Sequence, residues 1–465
     1  MKRKNLLLLP ALSLLLTCCW DKPNNSPVVI SGKWCRGKAA QVALYRLENG
    51  NLKEVATSEV SDADSAFYLA CKPQREGFYF IGTGRQAANR YAFYLRPGDA
   101  ALNFSVTEDS YELSGSNSPE NRALEQWHSF VQPLEWKSVY FTKAASTYVD
   151  FFPLLEEKLK ALEDFPQNPT GNSTFNRAFE EYKKLNLLDV AVSFLFVPRT
   201  AHPEGEDFPD YYRSLDIAAL TQTTALLSCI PSGVEVIERA IFAKLQARGE
   251  KTGNPMNAIL GSLAEVSCDT LKGEVVAHFA STQKTYEGLV DYEEKYGSYL
   301  VTDDQKDRVK GIKSALNVVK ENAPAVDFAF PDAAGKTVAL SDFKGKLVYI
   351  DVWAMWCGPC KKELPHLKKL EEEFHGNSGV VFLSVATDPS RDEQKWRNYV
   401  ESNGMKGVQL FAGDRARKDI IEPYKIAGIP RFILVGRDGR LISVDAPRPS
   451  SPEIRPLIRA SLNRR

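Results

Sequence analysis

At 465 residues, with 59 Lys and Arg against 59 Asp and Glu, the chain carries no formal net charge, so its composition offers neither a basic surface for nucleic acid nor an acidic disordered tail. A content of 43% hydrophobic and 25% charged residues is that of a globular protein. The length suits about two to four domains, which can bury cores without disulfide or metal staples. The five histidines, at positions 128, 202, 278, 366 and 375, stand at no metal-ligand spacing with one another or with a cysteine, so no metal site is expected.

The chain opens on Lys2, Arg3 and Lys4, followed by an apolar stretch from Leu6 to Leu16. Eleven residues are too few to cross a bilayer, which takes about 20. They read as the apolar core of a secretory signal. The stretch ends in Leu15-Leu16-Thr17-Cys18-Cys19, which resembles a lipobox, where a bacterial signal peptide is removed before a cysteine that is then acylated. The resemblance implies a lipoprotein signal over residues 1–19 with Cys19 lipidated. That register puts small Cys18 just before the acylated residue, whereas acylation of Cys18 would put the bulkier Thr17 there. An ordinary cleaved signal with incidental cysteines is the alternative. Residues 20–27 then form a polar tether, and the acyl chains hold the protein at a membrane surface.

Residues 28–116 alternate apolar and polar over short runs, as in Gln41 to Leu47, Phe67 to Cys71 and Gly77 to Ile81. Turn signals at Glu48-Asn49-Gly50-Asn51 and Arg96-Pro97-Gly98-Asp99 separate them. A small antiparallel sandwich or open barrel is expected. The end of this stretch, Tyr94 to Ser116, resembles the β-rich accessory domain fused ahead of thioredoxin modules in Bacteroidetes envelope proteins; it implies no activity.

Residues 117–322 read as an α-helical domain. Ser118-Pro119-Glu120-Asn121 is a helix start with Ser at the cap. Helical periodicity recurs over 154–162, 234–248 and 303–320. Aromatic residues such as Trp127, Trp136, Tyr140, Phe151 and Phe152 are read as core.

From Ala323-Pro324 to the end, residues 323–465 alternate strand and helix patterns, an α/β domain. The apolar run Leu347 to Trp353 carries one charge, Asp351; Ala354-Met355-Trp356-Cys357-Gly358-Pro359-Cys360 follows, then a helix pattern. A strand, a C-x-x-C and a helix starting at the cysteines is a redox arrangement. Cys357 is expected at the helix N-terminus, where the dipole and free N–H groups favour an anion, so it is the candidate attacking thiolate. Cys360, one turn on, is the candidate resolving thiol. Pro359 is tolerated in the first turn, where its missing N–H costs nothing. Zinc would need more ligands than His366 and His375 offer.

Trp353 to Lys361 resembles the thioredoxin active site almost residue for residue, and Pro365 matches the proline that kinks the thioredoxin helix. Phe328 to Lys346 resembles the lead-in hairpin of the TlpA/ResA-like branch. The helical stretches 394–402 and 418–424 match it too, and Gly428-Ile429-Pro430-Arg431-Phe432 matches the family's cis-proline loop ahead of an edge strand. The likeness covers residues 324–460 and leaves the first two-thirds of the chain outside it. It implies a thioredoxin fold and thiol–disulfide oxidoreductase activity. The expected direction is reduction of protein disulfides, with a membrane thiol relay as electron donor, in the periplasm-facing envelope. It also implies that Asp351 and Glu363 are candidates to take the proton that Cys360 loses. A cis Pro430 would turn the Ile429 backbone towards a substrate chain, with Trp356, Gly358 and Pro359 on the same rim. No cofactor is implied beyond the Cys357–Cys360 pair.

Cys35, Cys71, Cys229 and Cys268 stand outside any C-x-x-C; pairing within each region and buried free thiols are both open. Two other functions compete. A thiol peroxidase would need a P-x-x-x-T-x-x-C loop, which is absent. A client- or glycan-binding scaffold lipoprotein would make the redox domain accessory, against which stands the intact cysteine pair.

Overall fold

The computed structural model describes residues 26–83, 90–99, 101–139 and 145–463. Cys18, Cys19 and the expected signal lie outside them. The chain divides into two compact units, 1–262 and 263–465.

The first unit begins with eight strands: β1 (Val28–Trp34), β2 (Gln41–Glu48), β3 (Asn51–Glu59), β4 (Ala66–Cys71), β5 (Gly77–Gly82), β6 (Arg90–Leu95), β7 (Ala101–Val106) and β8 (Tyr111–Leu113). They form two four-stranded sheets, ordered β4-β1-β7-β8 and β3-β2-β5-β6. Alternation along each strand sends one set of side chains inward. Ile30, Phe67, Leu102 and Phe104 from one sheet meet Val42, Leu44, Ile81 and Phe93 from the other in a single core. The sandwich is not wholly antiparallel: β1 and β7 pair in parallel, Ile30 opposite Leu102. Neighbouring runs that form hairpins predict antiparallel pairs, but β1 and β7 meet only through a long excursion. Gly32 permits their approach, since a Cβ there would stand 1.6 Å from the Phe104 carbonyl oxygen.

Helices follow: α1 (Pro119–Ser138), α2 (Tyr148–Ala161), α3 (Ser173–Phe196) and α4 (Gly233–Ala247) among shorter turns. Ser118 caps α1 by accepting the Asn121 N–H at 3.2 Å, and Pro119 takes the first helical position. Its buried stripe, Ala123, Leu124, Trp127, Val131 and Leu134, has helical spacing.

The second unit starts with α5 (Asp269–Ser281), α6 (Tyr286–Tyr296) and α7 (Asp303–Asn317). The helices expected as one block over 117–322 are therefore shared between the two units. Buried Glu274 of α5 receives Arg308 of α7 at 2.7 Å on both oxygens and Gln305 at 3.0 Å. The segment after α7 then runs beside the C-terminal sheet, where the Asn322 amide donates to the Leu441 carbonyl at 2.8 Å.

A hairpin, β9 (Ala329–Pro331) and β10 (Thr337–Ala339), leads into β11 (Leu347–Trp353), α8 (Gly358–Glu373), β12 (Val380–Ala386), α9 (Glu393–Ser402), β13 (Val408–Phe411), β14 (Arg431–Val435), β15 (Leu441–Ser443) and α10 (Ile454–Asn463). The five-stranded sheet has the order β13-β12-β11-β14-β15. β12 runs parallel to β11 and β14 antiparallel, the thioredoxin-like arrangement. Every residue of central β11 is buried, which explains its unbroken apolar run. Tyr349 faces Leu367 and Leu370 of α8 and Ile458 of α10, while Val348, Ile350 and Val352 face Phe328, Ile420 and Tyr424. Two local expectations differ. The stretch expected helical at 418–424 is a single wide π-type turn, Arg417–Ile421. The strand after Pro430 is not at the edge, because the turn at Gly436 to Gly439 folds β15 back against it.

Candidate active site

Strand β11 ends at Trp353, and the chain turns through Ala354, Met355 and Trp356 into α8. Cys357 is the N-cap residue of that helix, and the Cys360 amide donates to its Sγ at 3.2 Å. A first-turn N–H and the helix dipole thus bear on one sulfur, the arrangement that favours a thiolate. Cys357 and Cys360 are joined as a disulfide with an S–S distance of 2.05 Å. Both are buried, whereas Trp356 beside them is 70% exposed and Gly358 and Pro359 are exposed. The Ile429–Pro430 peptide bond is cis, and the Ile429 carbonyl oxygen lies 3.8 Å from Cys357 Sγ. Of the residues expected on the substrate rim, Ile429 is thus beside Cys357 Sγ with Pro430 next in the chain, while Trp356, Gly358 and Pro359 are the exposed neighbours of Cys357 in sequence.

Two carboxyls are buried in this region, one on β11 and one on α8 itself. Asp351 is buried in β11, and burial, reinforced by Glu371 and Glu363, pushes its carboxyl up to about 8. Glu363 is also buried on α8; it accepts from the Ser450 amide at 3.0 Å and from the Ser450 hydroxyl at 2.9 Å. The influence of Glu363 on Asp351 places the two sequence-predicted acids in one field.

The Redoxin family model matches residues 319–456. The thiol-disulfide oxidoreductase ResA of Bacillus thuringiensis is 32% identical over 130 residues, which are 28% of this chain and 70% of that protein. Its Bacillus subtilis namesake is 29% identical over 126 residues, 27% of this chain and 67% of that one. The thioredoxin domain of a thiol-disulfide oxidoreductase from Bacteroides vulgatus is 29% identical, covers 31% of this chain and 98% of its own, and has a TM-score of 0.28. The chain belongs to the ResA-like thiol-disulfide oxidoreductases.

Within this ResA-like domain, three side chains near the cysteines escaped the sequence reading. Asp388 is buried, and both its oxygens accept the Met355 amide, at 3.1 and 3.0 Å, fixing the turn that delivers Cys357. Burial raises its pKa, although the bond from Met355 works against the rise. In sequence Asp388 is a turn residue before a proline. Only the parallel register, Trp353 opposite Ala386, carries it under Met355. Arg431, directly after the cis-proline, is buried; it donates to the Val444 carbonyl at 3.1 Å and lies 3.5 Å from Asp445. Asp445 also meets Lys284, from the α5–α6 turn, at 3.5 Å. Ser450 belongs to a loop remote in sequence and gave no local signal.

Cys35, Cys71, Cys229 and Cys268 are free thiols. Burial pushes Cys71 and Cys229 each up to about 11, so both stay protonated and unreactive at neutral pH. Among the described residues, no three His, Cys, Asp or Glu side chains are grouped as a metal site needs, and no helix is long and apolar enough to cross a membrane.

Proposed function

We propose that the chain reduces disulfides in envelope proteins by dithiol–disulfide exchange at Cys357 and Cys360. The observation that carries this reading is Cys357 at the start of α8, with the Cys360 amide on its sulfur and the cis-proline loop beside it. In the reduced protein, the Cys357 thiolate attacks one sulfur of a client disulfide. An S–S bond forms between Cys357 and the client, and the other client sulfur leaves as a thiolate and takes up a proton. Cys360 then loses its proton to Asp351 or Glu363 and attacks Cys357 Sγ. The client's second thiol departs and the Cys357–Cys360 disulfide closes, so two electrons have passed to the client. The pair itself carries these electrons, and no bound cofactor enters. Ile429 and Pro430, with Trp356, Gly358 and Pro359, hold the client backbone alongside Cys357 as an added strand.

In this reading a thiol relay in the membrane restores the dithiol. The lipobox-like sequence supports export, removal of residues 1–19 and acylation at Cys19, with the mature protein facing the periplasm. In sequence, the β-rich region of 28–116 and the helices after it lie between Cys19 and the redox domain.

Insulin reduction with dithiothreitol tests the activity: the wild type should accelerate precipitation and Cys357→Ser should not. Equal rates would overturn the reading.

A further inference from the structure

The first unit encloses a cavity of about 310 Å³, between β5, β6, β8 and the helices α1, α3 and α4. That volume is the lower end of the range for small-molecule sites, about 300–1,000 Å³. Its lining is unlike an ordinary core. The rings of Tyr91, Tyr111 and His128 pack on one another along the wall, with Tyr111 and His128 stacked at 5.1 Å. Trp127 and Tyr182 add two further aromatic surfaces.

The charges decide what such a cavity accepts. Arg239 is committed: it stands 3.6 Å from Asp189 and donates to Ser193 at 2.9 Å. Arg90 lies over the Tyr45 ring, 5.7 Å from its centroid. Arg36, outside the lining, donates to the Tyr91 hydroxyl at 3.2 Å. Glu135 Oε2 stands 3.8 Å from His128 Nδ1; burial, reinforced by Asp189 and opposed by Arg36, pushes its carboxyl up to about 7. Burial holds that imidazole down at about 4, so it is neutral at pH 7 and supplies no countercharge. Among the described residues, Glu135 makes no ion pair with lysine or arginine. The Tyr111 hydroxyl and His128 Nε2 are buried in the same wall without a hydrogen-bond partner, and Tyr111 is only 3% exposed. In the tautomer that carries its proton on Nδ1, on the side of Glu135, His128 Nε2 is an acceptor. The cavity wall thus carries Glu135, Asp189 already paired with Arg239, two buried polar atoms without a partner, and aromatic faces. Buried polar groups are normally satisfied, so these atoms point to an absent partner.

We propose that this cavity binds a small primary amine with an aromatic body, its ammonium on Glu135 and its ring among Tyr91, Tyr111 and Trp127. An ammonium has three donors and no acceptor, which matches that wall. Aromatic faces attract cations as well as apolar rings. The site is separate from the cysteine chemistry and does not depend on it.

Isothermal titration of 2-phenylethylamine into the full chain tests the proposal. Saturable one-to-one binding is expected, with phenylacetate and 2-phenylethanol each weaker by at least about tenfold, or ~1.4 kcal/mol. Glu135→Gln should weaken the amine by a similar factor and leave insulin reduction unchanged. Tyr111→Phe should weaken it less. No binding of the amine at about 5 mM, more than 4 kcal/mol short of micromolar affinity, overturns the proposal. So does equal binding of phenylacetate, or an undiminished affinity in a folded Glu135→Gln protein. The three-probe comparison on the wild type stands even if that variant fails to fold.

Discussion

Ser450 grips Glu363 twice, through its backbone amide at 3.0 Å and its hydroxyl at 2.9 Å, across a sequence separation of 87 residues. The carboxylate is thereby fixed one helical turn beyond Cys360, with both oxygens engaged. In the proposed mechanism this makes Ser450 a positioning residue. Ser450→Ala keeps the amide bond and loses the hydroxyl, so client release from the mixed disulfide should slow by about threefold to tenfold, the ~1 kcal/mol of one hydrogen bond. Glu363→Gln should slow it more. The double variant should be no slower than Glu363→Gln, because Ser450 acts through that carboxylate. Additive effects in single-turnover release would show that Ser450 acts elsewhere.

Asp351 and Glu363 both serve the proton leaving Cys360 in this mechanism. Asp351→Asn and Glu363→Gln should each slow resolution between pH 6 and 8, and the pair together most. Unchanged release rates across that range would make both acids structural.

Stability offers a separate reading of Asp351. Its carboxyl sits at about 8 in the folded protein, against an ordinary 3.8, so the folded state holds a proton that the unfolded chain releases. Its contribution is complete below the unfolded value and is lost as pH rises through about 8. Asn cannot ionise. Asp351→Asn should therefore match the wild type near pH 4 and exceed it at pH 8 by more than ~1 kcal/mol in urea unfolding. Glu371, raised to about 7 by burial, adds a wild-type slope of the same sign. A stability difference independent of pH would show that Asp351 ionises as it does in the unfolded chain.

Asp388 holds the Met355 amide with both oxygens. Asp388→Ala leaves that half-buried donor without its partner, a cost of about 1 kcal/mol, and should loosen the turn before Cys357. Asp388→Asn retains an acceptor and should lose less. Thermal unfolding and insulin reduction should fall in the same order. If the alanine variant is as stable and active as the wild type, the turn does not rely on this residue.

The proposed reducing direction rests on Gly358 and Pro359 between the cysteines. Pro359 supplies no extra N–H, and no positive histidine lies there to stabilise the thiolate. The potential should lie close to that of reducing thioredoxin, about −270 mV. Equilibration against dithiothreitol, read by Trp353 and Trp356 fluorescence, measures it. A value above about −180 mV would indicate an oxidase or isomerase.

The α/β unit was legible in sequence to the extent that its signals are local. The apolar strand, the C-x-x-C and the helix after it lie in one continuous stretch. Asp351 stood out because a lone charge in a buried strand needs a reason. Asp388, Ser450 and Arg431 were not legible as site neighbours, because a turn aspartate and a loop serine look ordinary until strand register and loop closure bring them under Cys357 and Glu363. The helical block of 117–322 looked uniform because α1 to α7 share one periodicity. Where it divides depends on which faces meet, and periodicity carries no record of that. The parallel β1–β7 pair was hidden for the same reason, since its partners are joined by five intervening strands.

The family match begins at residue 319, but the compact unit that holds it begins at 263. An expression fragment trimmed to the match would discard α5, α6 and nearly all the chain preceding Asn322. Asp445 would lose Lys284, and Arg431 beside the cis-proline would then share that carboxylate with solvent alone. Activity data from such a fragment would describe a cis-proline loop with one of its braces removed, and the starting residue chosen by the experimenter becomes a variable in the assay.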